Sequence, residues 1–185
     1  GSNDYIQVSS LSFGTNWSAE AWIYPSNATS SVWNVVLGQA YWVGLQGFVI
    51  ATQSGSVFVN GPQGVNITTP ISNNVWTHVA VTYNNGIWAF YKNGILVGNQ
   101  ISPFANSSAP FFIGARNNNN VNDNSNMGDF FSGNLDEIRI WSTTRSQCDI
   151  MSYMNCEIPT TASGLVANYH FNQGISNGIN LLITT

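Results

Sequence analysis

Two carboxylates stand side by side in this chain, Asp136 and Glu137, and they are the first place to look for hydrolytic chemistry. Glycoside hydrolysis needs a pair of carboxyl groups several ångströms apart in one cleft, one to protonate the leaving oxygen and one to attack or to activate water. The surrounding run LDEIRIW reads as a strand, in which neighbouring side chains point to opposite faces, so the pair is not expected to flank one sugar. His78, in WTHVAVTY, and His170, in ANYHFN, also fall on strand-like runs. Neither has a Ser or Cys nucleophile motif beside it, and His78 is expected to hydrogen-bond at a rim. No glycine-rich phosphate loop is present, and Gly44, Gly47 and Gly55 are spaced as turn residues. Asp123 and Asp129 lie in an asparagine-rich stretch that lacks EF-hand spacing; the stretch reads as a polar loop or a weak metal locus.

Aromatic rings are the more abundant resource, with ten Phe, seven Tyr and seven Trp. A ring can cover the apolar face of a pyranose while amides and hydroxyls hydrogen-bond its edges. By strand alternation Trp22, Phe90, Phe112 and Trp141 are expected in the core, whereas Trp33, Tyr41, Trp42, Trp88 and Phe130 lie beside loops or turns and are the candidate ligand-binding residues. The two cysteines, Cys148 and Cys156, flank the one helical segment. On a continuous helix they would stand about 12 Å apart, beyond the roughly 4.4–6.8 Å of a disulfide. A bond therefore requires the chain to fold back after Met154; the alternative is two buried free thiols. With no second Cys pair and no nearby His, zinc is not expected.

The composition narrows the partners. Of the 185 residues only 6% are charged, with four basic against eight acidic side chains and a net charge of -4. Nothing clusters to neutralise phosphates, which argues against nucleic acid and anionic membrane. An Asn-, Ser- and Gly-rich surface fits a secreted or cell-surface β protein. The most apolar stretch, Val32 to Ala51, has the length of a membrane span, but Asn34, Gln39, Gln46 and three glycines interrupt it, so successive strands are expected in place of one helix. Triplets that match glycosylation acceptors begin at Asn16, Asn27, Asn66 and Asn106. The abrupt start and end suggest one domain excised from a longer multidomain protein.

Short alternating blocks punctuated by Gly, Asn and Pro are what must position these residues. Strands are expected at Tyr5–Val8, Ala19–Tyr24, Val35–Gly38, Gly47–Thr52, Ser56–Val59, Trp76–Tyr83, Ile87–Lys92, Ile95–Val97, Phe111–Gly114, Leu135–Ile140 and Leu165–Phe171. Asn85-Gly86 and Asn93-Gly94 are strong hairpin signals that tie Trp76 to Val97 into a meander. Ser146–Met154 is the one expected helix, capped by Ser146 with Asp149 three residues on, and with Ile150, Tyr153 and Met154 on one face.

The runs FFSGNLDEIRIW, TTRSQCDIMSYMNCEI and GLVANYHF, with WTHVAVTY and WAFYKNGILVG upstream, resemble the closing half of a laminin-G-like domain of the concanavalin A-like superfamily; NDYIQV and SAEAWIYP extend the resemblance towards the N-terminus. The resemblance implies an all-β fold, a jelly-roll sandwich of two antiparallel sheets with one short helix near the C-terminal part. The tail LVANYHFNQGISNGINLLITT resembles segments of modular surface and secreted proteins of the Bacteroidetes type. Hydrolases of the superfamily carry acidic residues in an E-x-D-x-x-E pattern, which this chain lacks. LDEIRIW is similar to a final-strand segment whose Asp binds structural calcium, which would make Asp136 a ligand, with Asn3 and Asp4 supplying further oxygens; the alternative is that Asp136 hydrogen-bonds backbone amides. The expected function is non-catalytic, lectin-like recognition of a neutral glycan or glycoprotein, calcium-stabilised. A structural spacer or protein-protein adhesion unit is the alternative.

Overall fold

The computed structural model describes residues 4–41, 46–117 and 126–171. In chain order the strands are β1 (Ile6–Val8), β2 (Asn16–Pro25), β3 (Asn34–Tyr41), β4 (Gln46–Gln53), β5 (Ser56–Asn60), β6 (Asn66–Pro70) and β7 (Thr77–Asn84). They continue with β8 (Ile87–Lys92), β9 (Ile95–Ile101), β10 (Phe111–Ile113), β11 (Arg116–Asn117), β12 (Met127–Gly128), β13 (Gly133–Trp141) and, after the helix α1 (Gln147–Tyr153), β14 (Leu165–Tyr169). A first six-stranded sheet has the order β1-β10-β3-β4-β5-β6 and a second β14-β13-β2-β7-β8-β9, while β11 and β12 form a small ribbon. All strand pairs are antiparallel. This is the two-sheet jelly-roll sandwich expected from the sequence.

Period-two alternation divides each strand between the core and an outer face. On β2 and β7, Ala19, Ala21, Ile23, Val79 and Val81 face the opposite sheet, where they meet Phe48, Ile50, Val57 and Val59 of the first. At one end Trp17 stacks on Phe48 with ring centroids 4.5 Å apart, and meets Trp88 edge-on at 5.4 Å. Every described strand expectation is found. The sequence reading missed β6, whose NITTP lacks a strong apolar rhythm, and the two-residue strands β11 and β12, which fall in the stretch read as a loop.

Local turn chemistry sets the hairpins. Asn85-Gly86 and Asn93-Gly94 have positive φ at both positions, 44° and 97°, then 50° and 76°, as a two-residue primed turn requires. Ser54-Gly55 does the same between β4 and β5. Gly47 is not a turn residue: it sits in β4, where a Cβ would strike the Gln39 carbonyl of β3.

Ser146 caps α1, accepting from the Asp149 amide while the Asp149 carboxylate accepts from the Ser146 amide. Those bonds hold the Asp149 carboxyl below its ordinary value. The helix lies on the outer face of the second sheet, where Ile150 packs on Ala80 and Tyr91. Tyr153 is exposed and Met154 only partly covered, so the expected three-residue apolar face reduces to Ile150.

Several expectations about outer and core positions need correction. Of the four aromatics assigned to the core, Phe90, Phe112 and Trp141 are buried, but only Phe90 lies in the cluster between the sheets. Phe112 alternates with the core residues Phe111 and Ile113 and so points outward; Trp141 is buried on the outer face against Glu20; Trp22 is only partly buried there. His78 is not at a rim, but 1% exposed beside Glu20. Cys148 and Cys156 are exposed free thiols, neither bonded to each other nor buried. The helix ends at Tyr153 and a turn follows, with the Cys156 amide donating to the Tyr153 carbonyl and the Cys156 thiol to the Ser152 carbonyl.

Candidate functional site

The outer face of the first sheet is built by register. One cross-strand row runs Phe112, Gly38, Val49, Asn60, Asn66 from β10 to β6; a neighbouring row runs Val35, Ala51, Phe58, Thr68. Both rows pass from apolar to polar. Over the boundary stands Trp33, just ahead of β3, edge-on to Phe58 with centroids 5.0 Å apart. The Arg116 guanidinium lies 4.3 Å above the indole and forms an ion pair with Asp129.

Two adjoining pockets result, with Trp33 and Asn60 lining both. The first, about 280 Å³, has an apolar floor of Val35, Gly38, Ala40, Val49 and Phe112. The second, about 240 Å³, is lined by Gln53, Ser56, Asn60, Asn66 and Thr68. Its amides and hydroxyls are both donors and acceptors, beside the ring. Arg116 is the one cation in either lining, and Asp129 balances its charge. The arrangement can hold a small neutral molecule with an apolar face and hydroxylated edges; among the described residues its lining offers no carboxylate for acid-base work.

Of the five aromatics expected to bind, Trp33 lies in this site. Trp88 is excluded and its assignment corrected: it is fully buried in the core, with its Nε1 donating to the Ser102 carbonyl, because Asn85-Gly86 turns the chain one residue before Ile87 and alternation then sends Trp88 inward. Phe130 packs on Tyr5 at 6.3 Å and lines neither pocket. Tyr41 ends β3, its side chain outside the described residues, as is Trp42 altogether. Phe58, Phe112 and Arg116 were missed. Alternation from Ile113 and Val57 would have marked the first two.

The outer face of the second sheet is organised by charge. A row of paired residues, Asn168, Arg139, Glu20, Ala80 and Tyr91, passes beneath α1. Arg139, 1% exposed, donates to Glu137 Oε2 at 2.6 Å, to the Tyr153 carbonyl at 3.1 Å and to the Cys156 carbonyl, and its Nη1 lies 3.6 Å from Glu20 Oε1. It thereby satisfies carbonyls at the helix C-terminus, where a cation is favoured. Burial pushes the Glu20 carboxyl up, but attraction to His78 and Arg139 and the bond donated by Trp141 Nε1 outweigh it and hold the group below its ordinary value.

The carboxylate pair sits at a β-bulge. Pairing with β2 shifts between Asp136 and Arg139, and Glu137 has φ 47°, so the extra residue breaks the alternation. Asp136 and Glu137 therefore share one outer-face cleft, contrary to the expectation of opposite faces. Glu137 is spent in a different way: its oxygens hold Arg139 and the His170 Nδ1. Asp136 Oδ1 accepts from the Glu137 amide at 2.8 Å, and burial, with the Glu137 charge, raises its pKa. The Asp4 carbonyl lies beside Gly114, which the Leu135 side chain also approaches, and Asn3 is outside the described residues. Among the described residues no three His, Cys, Asp or Glu side chains converge on a metal-sized point. Calcium also takes backbone carbonyls as ligands, so Asp136 stays a proposed calcium ligand that melting with and without the ion tests.

The comparisons with known proteins agree with this architecture. No curated protein matches the chain in sequence. Among solved structures, a candidate carbohydrate-binding protein from Bacteroides ovatus aligns with TM-score 0.70 and 22% identity, over 94% of this chain and 51% of that one. The binding domain of botulinum neurotoxin serotype D aligns with TM-score 0.61 and 20% identity, over 82% of this chain and 40% of that one. Domain 4 of AbnA, an extracellular arabinanase from Geobacillus stearothermophilus in complex with arabinotriose, aligns with TM-score 0.58 and 19% identity, over 80% of this chain and 71% of that one. This chain thus spans about half of the first relative. No described helix is long and apolar enough to cross a membrane. With a family model matching residues 1–151 and both sheets in place, the chain belongs to the concanavalin A-like lectin/glucanase superfamily.

Proposed function

We propose that this domain is a non-catalytic binding module that takes a neutral saccharide on the outer face of its first sheet, with Trp33 as the stacking ring. The observation that carries the reading is the position of Trp33, between an apolar pocket and one lined by amides and hydroxyls. That is the division of labour a sugar ring demands. The Arg116–Asp129 pair leaves no unbalanced cation in the pocket to select an acidic sugar. The charge-poor surface supports placement outside the cell, on a secreted or surface protein whose further domains would supply any catalysis.

Affinity measurements against a panel of neutral plant and bacterial oligosaccharides test the reading, with the intrinsic tryptophan signal as readout. Trp33→Ala should lower affinity by about 5- to 150-fold, the equivalent of roughly 1–3 kcal/mol for one large buried ring. Absence of any binder across the panel overturns it. The adhesion reading would then take over, favoured by the exposed Ile95, Leu96 and Ile101 of β9, one of the two edge strands of the second sheet.

A further inference from the structure

A second depression, about 490 Å³, opens on the opposite side of the sandwich where the chain leaves α1. Its chemistry differs from that of the first-sheet pockets. Two indoles form its walls. Trp22, on β2, is fixed by its Nε1 donating to the Met154 carbonyl at 2.6 Å and by edge-on contact with His78 at 5.4 Å. Trp76, ahead of β7, is 43% exposed and leans on Tyr24 with centroids 5.5 Å apart. Between and beside them stand Asp136, paired directly to Trp22 in register, and the exposed Glu157.

We infer that this groove is a binding site for an organic ammonium group, held against the faces of Trp22 and Trp76 and charge-paired with Asp136. Three features support that ligand class. No Lys or Arg lines the groove; the nearest guanidinium, Arg139, is already committed to Glu137, Glu20 and the helix carbonyls beneath. Indole faces carry negative potential and attract cations within about 6 Å. Asp136 keeps one hydrogen bond, from the Glu137 amide, and is raised in pKa by burial and by the neighbouring carboxylate; a cation in the groove would relieve both. A neutral sugar fits this groove less well, because of the lining side chains Asn155 alone is an amide.

The probe is choline chloride, titrated against the intact domain in parallel with 3,3-dimethyl-1-butanol, which has the same shape and no charge. Isothermal calorimetry or tryptophan fluorescence should show saturable choline binding, with the neutral isostere at least about tenfold weaker. Trp76→Ala and Asp136→Asn should each weaken choline by about threefold or more, in the range of one cation–π contact. Trp76 is half-exposed, and Asn keeps the acceptor for the Glu137 amide, so both variants are expected to fold; a melting curve verifies it. Trp33→Ala should leave choline binding unchanged, which separates this site from the saccharide site. Equal binding of the isostere, no saturable choline binding, or choline binding indifferent to Trp76 and Asp136 overturns the inference.

Discussion

Replacing Arg139 with Met should be among the most damaging single changes in the second sheet. The guanidinium is 1% exposed, so Met fills much of its volume and the loss is chiefly electrostatic. It strands Glu137, now 2.6 Å from a donor, loosens Glu20 at 3.6 Å, and orphans the Tyr153 and Cys156 carbonyls. Removing one partner of a buried ion pair costs about 3–5 kcal/mol, and the carbonyl losses overlap with that figure because one side chain makes every bond. For a domain of this size, about 4 kcal/mol corresponds to a fall of roughly 8–16 °C in Tm. The helix should suffer first: at seven residues it is far below the ~12–15 that an isolated helix needs. Proteolysis after Tyr153 should therefore accelerate well below Tm. Thermal unfolding by near-UV dichroism, with Lys92→Met as an exposed-cation control expected to cost under about 1 kcal/mol, measures the effect. Adding Glu20→Gln and Glu137→Gln to Arg139→Met should recover part of the loss by removing the stranded charges. A drop under about 3 °C for Arg139→Met, about 1 kcal/mol on the same scale, would refute the view that this guanidinium anchors the helix.

Trp88→Ala should destabilise by about 3–5 kcal/mol and impair every function alike, whereas Trp33→Ala should leave Tm within about 1–2 °C while reducing saccharide affinity; urea titration beside a binding assay separates them. Because the Glu20 carboxyl is held below its ordinary 4.5, the unfolded chain binds more protons in that window. Its stabilisation is complete above pH 4.5 and lost as the pH falls through the native value, so Glu20→Gln should flatten the acid limb of a stability-pH curve. Asp136 has the opposite sign: raised above 3.8, it makes the native state less stable as pH rises through its native value, so Asp136→Asn should hold or slightly raise Tm at pH 7. Melting should rise in calcium relative to EDTA if Asp136 is a ligand, and Asp136→Asn should abolish the gain; coincident curves would remove the calcium proposal. Ellman's reagent should titrate both thiols of the native, unreduced protein, and zero reactive thiols would show Cys148 and Cys156 bonded after all.

Strand positions were legible because local signals and tertiary demands coincide. Asn-Gly pairs tolerate positive φ without cost, so β7, β8 and β9 follow from four residues. The Ser146–Asp149 cap marked the helix start equally well. The face on which a residue ends up was less legible, since the sandwich has two outer faces as well as a core, and one outer face is itself covered by α1. Trp141 and Arg139 are as buried as core residues yet lie outside the sheet pair. A pattern of burial alone cannot separate those two environments, so Phe112 was read as buried without its outer face being legible, and Trp22, only partly buried, was misread.

The bulge at Asp136–Arg139 shows where period-two reasoning fails and what the failure builds. Strict alternation from Ile140 and Ile138 would send Asp136 inward beside Leu135's neighbours, a buried charge with no partner. The extra residue, Glu137 at φ 47°, returns Leu135 to the core side and turns both carboxylates outward. A non-glycine residue in that region is strained by about 1–2 kcal/mol, and the hydrogen bonds from Arg139 and His170 to Glu137 oppose that strain. The same bulge therefore serves two structures at once: it gives Arg139 a buried counterion for holding α1, and it turns Asp136 into the Trp22–Trp76 groove, where with Glu157 it supplies acidic charge that Arg139 does not pair. If that account is right, Glu137→Gln should loosen the helix end and change choline binding only modestly, whereas Asp136→Asn should do the reverse. Equal effects of both substitutions on both properties would mean that the cleft acts as one undivided acidic patch.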